Sequence, residues 1–305
     1  MKLTIGTRGS QLALWQTNWV KAQLAAAGHE VEVRIIKTTG DKMQNLPLAG
    51  SGTKGLFIKE LEEALLDASV DLAVHSMKDL PTDLPAGLAI VAVPAREDPR
   101  DVLISRDGKR YAELPAGARV GTSSLRRQSQ LRKLRADVEL VPLRGNLDTR
   151  LRKLDRGDCA AIVLAAAGVH RLGWSERITQ YFSAAEVCPA VGQGALALEG
   201  RSNDDRAASA LRPLDHTPTH SAVRAERALL RHLGGGCQVP IAAHAIMEGG
   251  ALRLTGVVAD LQGTRLIRAT GSGSADAPEA LGARVGKDLL RQGARAILES
   301  IKEVT

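Results

Sequence analysis

Cys237 is the most conspicuous candidate for chemistry, because it follows Gly234-Gly235-Gly236 and precedes Gln238-Val239-Pro240. Three glycines leave the thiol on a backbone with almost no side-chain cover, so a bulky group can sit against it. A thiol so displayed is a nucleophile or an attachment point; the competing reading is a buried structural cysteine. Asp79 is the second candidate. It lies in Ser76-Met77-Lys78-Asp79-Leu80-Pro81, after the apolar run Leu72-Ala73-Val74-His75, and Pro81 and Pro85 stop a helix from continuing. A carboxylate on a stiff segment at the C-terminal end of a strand stands where open α/β sheets place their ligands. It can face a ligand there, or simply pair with Lys78 at the surface. The third candidate is cationic. Between Arg119 and Arg156 eleven Lys/Arg stand against four Asp/Glu, an excess of seven that equals the net charge of +7 of the whole chain. Such a patch takes a polyanion or a multiply charged acid. It contains no Phe, Tyr or Trp on which bases could stack, which favours an acidic small molecule over single-stranded nucleic acid.

The elements that must carry these groups alternate between strand and helix. Lys2 to Thr7 reads as a strand, and Ser10 caps a helix from Gln11 to Ala27 closed by Gly28. Arg8 and Ser10 therefore sit in a strand-to-helix turn suited to a carboxylate. Val31 to Lys37 alternates as a second strand. From Thr38 to Lys54 no period is present, and a connection of that length reads as a lid over a ligand. Lys54-Gly55-Leu56-Phe57 leads into a helix through Asp67; the Gly-Ser-Gly-Thr-Lys run before it lacks the GxxxxGK[ST] spacing of a phosphate-binding loop. Pro94 to Asp101 reads as a linker, with a second α/β unit starting at Val102. Arg119 to Gly121 is a strand. Ser123 or Ser124 then caps a helix to about Arg135, whose first turns carry Arg126 and Arg127, an anion cradle. The pattern repeats with a strand over Val138–Leu143, the turn Arg144-Gly145-Asn146, and a helix over Leu147–Arg156 bearing Arg150. Another strand, Ala160 to Leu164, precedes a helix ending near Arg171-Leu172-Gly173. Pro189 to Gly194 reads as a second crossing, after which Ala195 to Leu198 rejoins the first sheet. Two crossovers between two α/β lobes predict a hinge and a cleft, as in periplasmic-type binding proteins. The last third changes character: a helix opened by Thr217-Pro218, strands around Ile241–Met247, Leu252–Ala259 and Arg265–Thr270, and a helix from Pro278 to Ile301 broken at Gly293.

Composition bounds the class. A chain of 305 residues exceeds one comfortable core. Aromatics are only 2%, so the cores must be aliphatic. Cys159, Cys188 and Cys237 are odd in number and contain no CxxC, which argues against a disulfide framework and against zinc. Cys159 lies just before a buried-type strand and Cys188 just before the second crossing. No secretory h-region opens the chain and no apolar run reaches membrane length, so a cytoplasmic protein is expected, with no membrane partner and no metal.

Seven runs together resemble the porphobilinogen deaminase (hydroxymethylbilane synthase) family, and the likeness covers nearly the whole chain. They are Thr7-Arg8-Gly9-Ser10-Gln11-Leu12-Ala13, Lys54-Gly55-Leu56-Phe57, His75-Ser76-Met77-Lys78-Asp79, Gly121-Thr122-Ser123-Ser124-Leu125-Arg126-Arg127, Leu143-Arg144-Gly145-Asn146, Val191-Gly192-Gln193-Gly194, and Glu226-Arg227 through Gly236-Cys237-Gln238-Val239-Pro240. Thr53 departs from the glycine many members have there. The resemblance implies an α/β and α+β fold: two periplasmic-binding-protein-like (type II) α/β lobes with a hinge, and a small C-terminal α+β domain with a three-stranded antiparallel sheet. Lobe 1 would span 1–95 and 195–213, lobe 2 100–190, and the C-terminal domain 216–305. It further implies a transferase of tetrapyrrole (haem) biosynthesis that joins four porphobilinogen molecules head to tail, releases an ammonia at each step and yields hydroxymethylbilane. A dipyrromethane cofactor would be held by a thioether to Cys237. Asp79 would be the catalytic carboxylate, stabilising the pyrrole cation. Ser76, Lys78, Thr122, Ser123, Ser124, Arg126, Arg127 and Arg150 would hold the cofactor. Arg8, Ser10, Lys54, Phe57, Arg144, Arg171 and Gln193 would meet the substrate, whose acetates and propionates suit arginine forks. The family is monomeric and takes no nucleic acid or metal. A non-catalytic solute-binding module and a nucleic-acid-binding regulator remain the rival readings.

Overall fold

The computed structural model of the protein describes residues 1–39, 58–234 and 239–302. They belong to two compact units, Met1–Arg96 with Ala195–His220, and Glu97–Gly194 with Ser221–Thr305.

The first unit is built on a five-stranded sheet ordered β2-β1-β3-β10-β4. Its strands are β1 (Lys2–Thr7), β2 (Glu30–Ile35), β3 (Leu72–Ser76), β4 (Leu88–Ala92) and β10 (Leu196–Arg201). β1 runs parallel to β2 and β3, whereas β10 is antiparallel to β3 and β4. Alternation along the strands separates two faces. Leu3, Ile5, Leu72, Val74, Leu196 and Leu198 cluster with Val20 and Leu24 of α1 (Gln11–Ala26) and with Ala210 and Leu211 of α6 (Asp205–Leu211). Ala73 and Leu88 meet Leu61 and Leu65 of α2 (Lys59–Leu66) on the other face. Ser10 caps α1 as expected, its hydroxyl accepting from the Ala13 N–H at 3.3 Å.

The second unit repeats the arrangement with β7-β6-β8-β5-β9: β5 (Asp101–Ser105), β6 (Arg119–Gly121), β7 (Glu139–Val141), β8 (Ala161–Ala165) and β9 (Gln180–Tyr181). Again three strands are parallel and one inner strand, β5, is antiparallel to both neighbours. The two sheets thus share one strand order, as expected for a pair of α/β lobes. The helices α3 (Leu125–Leu134), α4 (Leu147–Asp155) and α5 (Ala166–Arg171) follow β6, β7 and β8. One expectation is corrected. Asp101 is not the end of a linker but the first residue of β5, and it is wholly buried.

The same unit contains the three-stranded antiparallel sheet β11 (Ile241–Glu248), β12 (Ala251–Ala259) and β13 (Leu266–Gly273). It is covered by α7 (Thr217–His232), α8 (Pro278–Leu289) and α9 (Arg295–Lys302), with Leu229, Leu254, Val258, Val285 and Leu289 in an aliphatic core. The helix break expected at Gly293 is present, at φ 100°. This sheet falls in the same compact unit as the second lobe. Arg268 donates to the Ala185 carbonyl at 2.7 Å. Buried Glu226 accepts from the Gly192 N–H at 2.7 Å and from the Ala245 N–H at 2.8 Å.

Candidate functional site

In the first unit, β3 ends at Ser76 and the chain makes one 3-10 turn, Met77–Asp79. The turn is pinned from two sides: Met77 N–H donates to the Ala195 carbonyl at 3.0 Å, and Gln16 Nε2 donates to Ser76 Oγ at 2.9 Å. Met77 is buried, Ser76 and Lys78 are half-buried, and Asp79 is exposed. A carboxylate thus stands in solvent reach on a backbone with little freedom. Because β1 lies parallel beside β3, Arg8 leaves the same edge of the sheet. Arg8 and Ser10 are half-buried there, with the Ser10 hydroxyl engaged as the cap of α1. Five sequence candidates, Arg8, Ser10, Ser76, Lys78 and Asp79, therefore share one strand-end edge.

In the second unit, β6 and β7 are parallel neighbours, so the turns opening α3 and α4 also share an edge. Ser123 joins them: its hydroxyl donates to the Leu143 carbonyl at 3.1 Å and accepts from the Leu143 N–H at 2.9 Å. Ser124 caps α3 by accepting from the Arg127 N–H, and buried Thr122 accepts from the Ser124 N–H at 3.3 Å. Arg144 is exposed. Arg150 Nε donates to the Gly145 carbonyl at 2.8 Å.

The cradle expected at Arg126 and Arg127 takes a different form. Both are only 5% exposed, and both fork onto Asp101. Arg126 reaches its two oxygens at 2.6 and 3.2 Å, and Arg127 reaches Oδ1 at 2.9 and 2.8 Å. Burial would raise the Asp101 carboxyl, but the two guanidiniums outweigh it and hold it far below the usual carboxylate range. Two cations on one anion leave a net positive charge beneath the turn. Asp101 was missed as a functional residue, though an acid opening the run Val102-Leu103-Ile104 is a signal for a buried, partnered carboxylate.

Gln193 and Arg171 lie inside the second unit rather than on its rim. Gln193 is fully buried and donates to the Pro99 carbonyl at 2.6 Å and to Asp101 at 3.0 Å. Arg171 donates to the Gly194 carbonyl at 2.8 Å, and burial pulls its guanidinium down to about 10. Gly194 has φ +89°, and a Cβ there would lie 2.3 Å from the Glu97 carbonyl oxygen, so the two crossing segments touch backbone to backbone. Cys159 and Cys188 are buried thiols, and burial pushes Cys188 up to about 12. Cys237, Lys54 and Phe57 lie outside the described residues, as does nearly all of the expected lid.

The donor set in the second unit fits a cofactor bearing several carboxylates. Arg144, Arg150 and the positive Arg126–Arg127–Asp101 cluster adjoin the Ser123 turn, and neither Thr122–Arg127 nor Arg144–Leu147 contains an acid. Among the described residues no group of three His, Cys, Asp or Glu could hold a metal, and no helix is long and apolar enough to cross a membrane.

Comparison with known proteins agrees with this chemistry. A family model described as porphobilinogen deaminase, dipyromethane cofactor binding domain, matches residues 3–209. A second, described as porphobilinogen deaminase, C-terminal domain, matches residues 220–291. The porphobilinogen deaminase of Syntrophobacter fumaroxidans is 56% identical over 301 residues, 98% of this chain and 97% of that protein. That of Desulforudis audaxviator is 54% identical over 303 residues, 99% and 98% of the two chains. That of Pelobacter propionicus is 51% identical over 302 residues, 98% and 97% of the two chains.

Proposed function

We infer the reaction from kinship: the chain belongs to the porphobilinogen deaminase family, and its work is to condense four porphobilinogen molecules head to tail, with loss of ammonia, to hydroxymethylbilane. What carries this reading to particular atoms is the pinned turn that leaves Asp79 exposed at the strand-end edge of the first lobe. A carboxylate held this way needs little reorganisation when positive charge develops on a pyrrole nitrogen beside it. It can also accept the proton lost when the new bond forms. Arg8 and Lys78, at the same edge, suit the substrate's acetate and propionate. Ser10 and Ser76 add hydroxyls.

The dipyrromethane cofactor of this family supplies the primer on which condensation starts. Cys237 is the residue proposed to hold it as a thioether. Arg144 and Arg150 would bind carboxylates at the second lobe's edge, with Thr122, Ser123 and Ser124 shaping the turn. Arg126, Arg127, Gln193 and Arg171 act from beneath that surface: they hold the turn and the crossing segments, and their net charge draws carboxylates to the edge. Lys54 and Phe57 are proposed substrate contacts from the segment before α2. The protein would act as a cytoplasmic monomer.

Intact mass spectrometry of purified protein tests the attachment: the expected result is a covalent dipyrromethane adduct that Cys237→Ser abolishes. Porphobilinogen consumption with matched ammonia release tests the reaction. An adduct-free wild type, or one that consumes no porphobilinogen, refutes the reading.

A further inference from the structure

Two ionisable side chains, His75 and Glu199, meet beneath α2 in the first lobe, one residue behind the Ser76–Asp79 segment, within the electrostatic reach of Glu62 on α2. Ala197 of β10 pairs with His75 of β3, and Glu199 pairs with Ala73. His75 and Glu199 are therefore diagonal neighbours on one face of the sheet, the face on which Ala73 packs against Leu61 and Leu65. His75 Nε2 lies 2.9 Å from Glu199 Oε2, with the two side chains 5% and 0% exposed. The contact is close but not aligned for a hydrogen bond, and neither Glu199 oxygen accepts one among the described residues. Glu62 approaches from α2, and its buried Oε1 likewise lacks a hydrogen-bond partner. Burial first, then the charge of Glu199, raises the Glu62 carboxyl, with His75 pulling it back.

Among the described residues the neighbouring charges on α2 are engaged elsewhere. Lys59 of α2 pairs with Glu63 at the surface, and Glu60 accepts from Thr39. β1 and β4 contribute Gly6 and Leu88 to this face. No Lys or Arg is paired with the trio among the described residues. Apolar side chains would fill the same space at lower cost, so stability alone does not call for this contact.

We propose that His75, Glu199 and Glu62 are positioning residues that fix the end of β3 and thereby the carboxylate of Asp79 for the reaction. The proposal rests on Asp79 being the catalytic carboxylate. It accounts for a titratable cluster placed where the strand leaves the sheet and the turn begins. Glu199 sits on β10, whose approach also supplies the Ala195 carbonyl that binds Met77 N–H. One strand thus holds the turn by a backbone bond in front and a close side-chain contact behind.

The test uses the cofactor-loaded enzyme, with loading checked by intact mass, and compares wild type with Glu199→Gln, His75→Asn, their double variant and Glu62→Gln. Each single change at the His75–Glu199 contact should lower kcat by roughly tenfold while KM stays within about twofold, since misplacement of a reacting group weakens turnover more than binding. The double variant should be no worse than the poorer single one, because both act through one contact. Glu62→Gln replaces a carboxyl whose raised pKa makes the fold lose stability as pH rises through it. That variant should fold at least as well as wild type, with a smaller fall in kcat than either change at the contact. Unchanged kcat in Glu199→Gln and His75→Asn overturns the proposal. If those two fail to fold, an unchanged kcat in Glu62→Gln overturns it. An Asp79→Asn variant that turns over within a fewfold of wild type refutes the reading of Asp79 and takes this proposal with it.

Discussion

Asp101→Asn should be among the most damaging single changes in the chain, although the residue lies outside the seven motif runs. Five hydrogen bonds converge on its carboxylate, two from Arg126, two from Arg127 and one from Gln193, at 2.6 to 3.2 Å. An asparagine keeps the shape but removes the charge and turns an amide N–H₂ toward guanidinium donors, leaving two buried cations uncompensated. Breaking a buried pair in this way costs about 3–5 kcal/mol. In a unit of this size that lowers Tm by roughly 6–20 °C. Arg126→Met is the informative contrast. It leaves Arg127 and Asp101 as a balanced pair, and the Cys188 carbonyl keeps its second donor, Gln130 Nε2 at 3.1 Å. Its Tm should fall less than that of Asp101→Asn. The pH dependence has a definite sign: the carboxyl is depressed in the fold, so its stabilisation is present above the unfolded value of about 3.9 and lost as pH falls through the folded one. The gap between wild type and Asp101→Asn should therefore hold steady from neutral to mildly acid pH and close only in strong acid. Thermal unfolding followed by circular dichroism reads all of this. A Tm for Asp101→Asn within about 2 °C of wild type, or above that of Arg126→Met, refutes the account of the cluster.

Cys237→Ser should yield protein without the cofactor mass and without turnover, whereas Cys159→Ser and Cys188→Ser, both buried, should keep the cofactor and lose stability. Asp79→Asn should retain the cofactor and bind substrate, yet turn over about a hundred- to a thousandfold more slowly in single-turnover assays. Arg144→Leu, at an exposed position, should raise KM for porphobilinogen with little change in Tm. Gly282→Ala should destabilise by roughly 1–3 kcal/mol in thermal unfolding, because its Cβ would stand 2.3 Å from the Ala225 carbonyl oxygen and push α8 off α7.

The alternation of short apolar runs with capped helices was legible, since strand and helix periods and cap residues are local signals. Ser10 and the Gly293 break show in single positions and their neighbours, and the cap at Ser123 or Ser124 to within one residue. The strand Leu88–Ala92 was not anticipated, although the turn Pro85-Ala86-Gly87 stands directly before its apolar run. β9 is two residues long and had no period to show. The arginines tell a sharper story. Their number and clustering were visible, but which of them faces ligand and which holds the fold depends on a partner 25 residues away in Asp101. Arg126 follows its helix cap and Arg144 precedes its own, and neither position says that one is buried on a carboxylate and the other exposed. The His75–Glu199 contact, 124 residues apart, is set by strand pairing alone.

The strand order of the two lobes also schedules the birth of the molecule. β10 lies between β3 and β4, so until Leu196–Arg201 has left the ribosome the first sheet has a missing slat and its two halves cannot join. The strands of the second lobe, Asp101 to Tyr181, are all made before that moment. A nascent chain ordinarily folds from its N-terminus as it emerges, at about 5–20 residues per second; here the later lobe can close while the earlier one waits. The half-built lobe exposes the flanks of β3 and β4 for the time it takes to translate roughly a hundred further residues, long enough for a chaperone to be the first partner this enzyme meets.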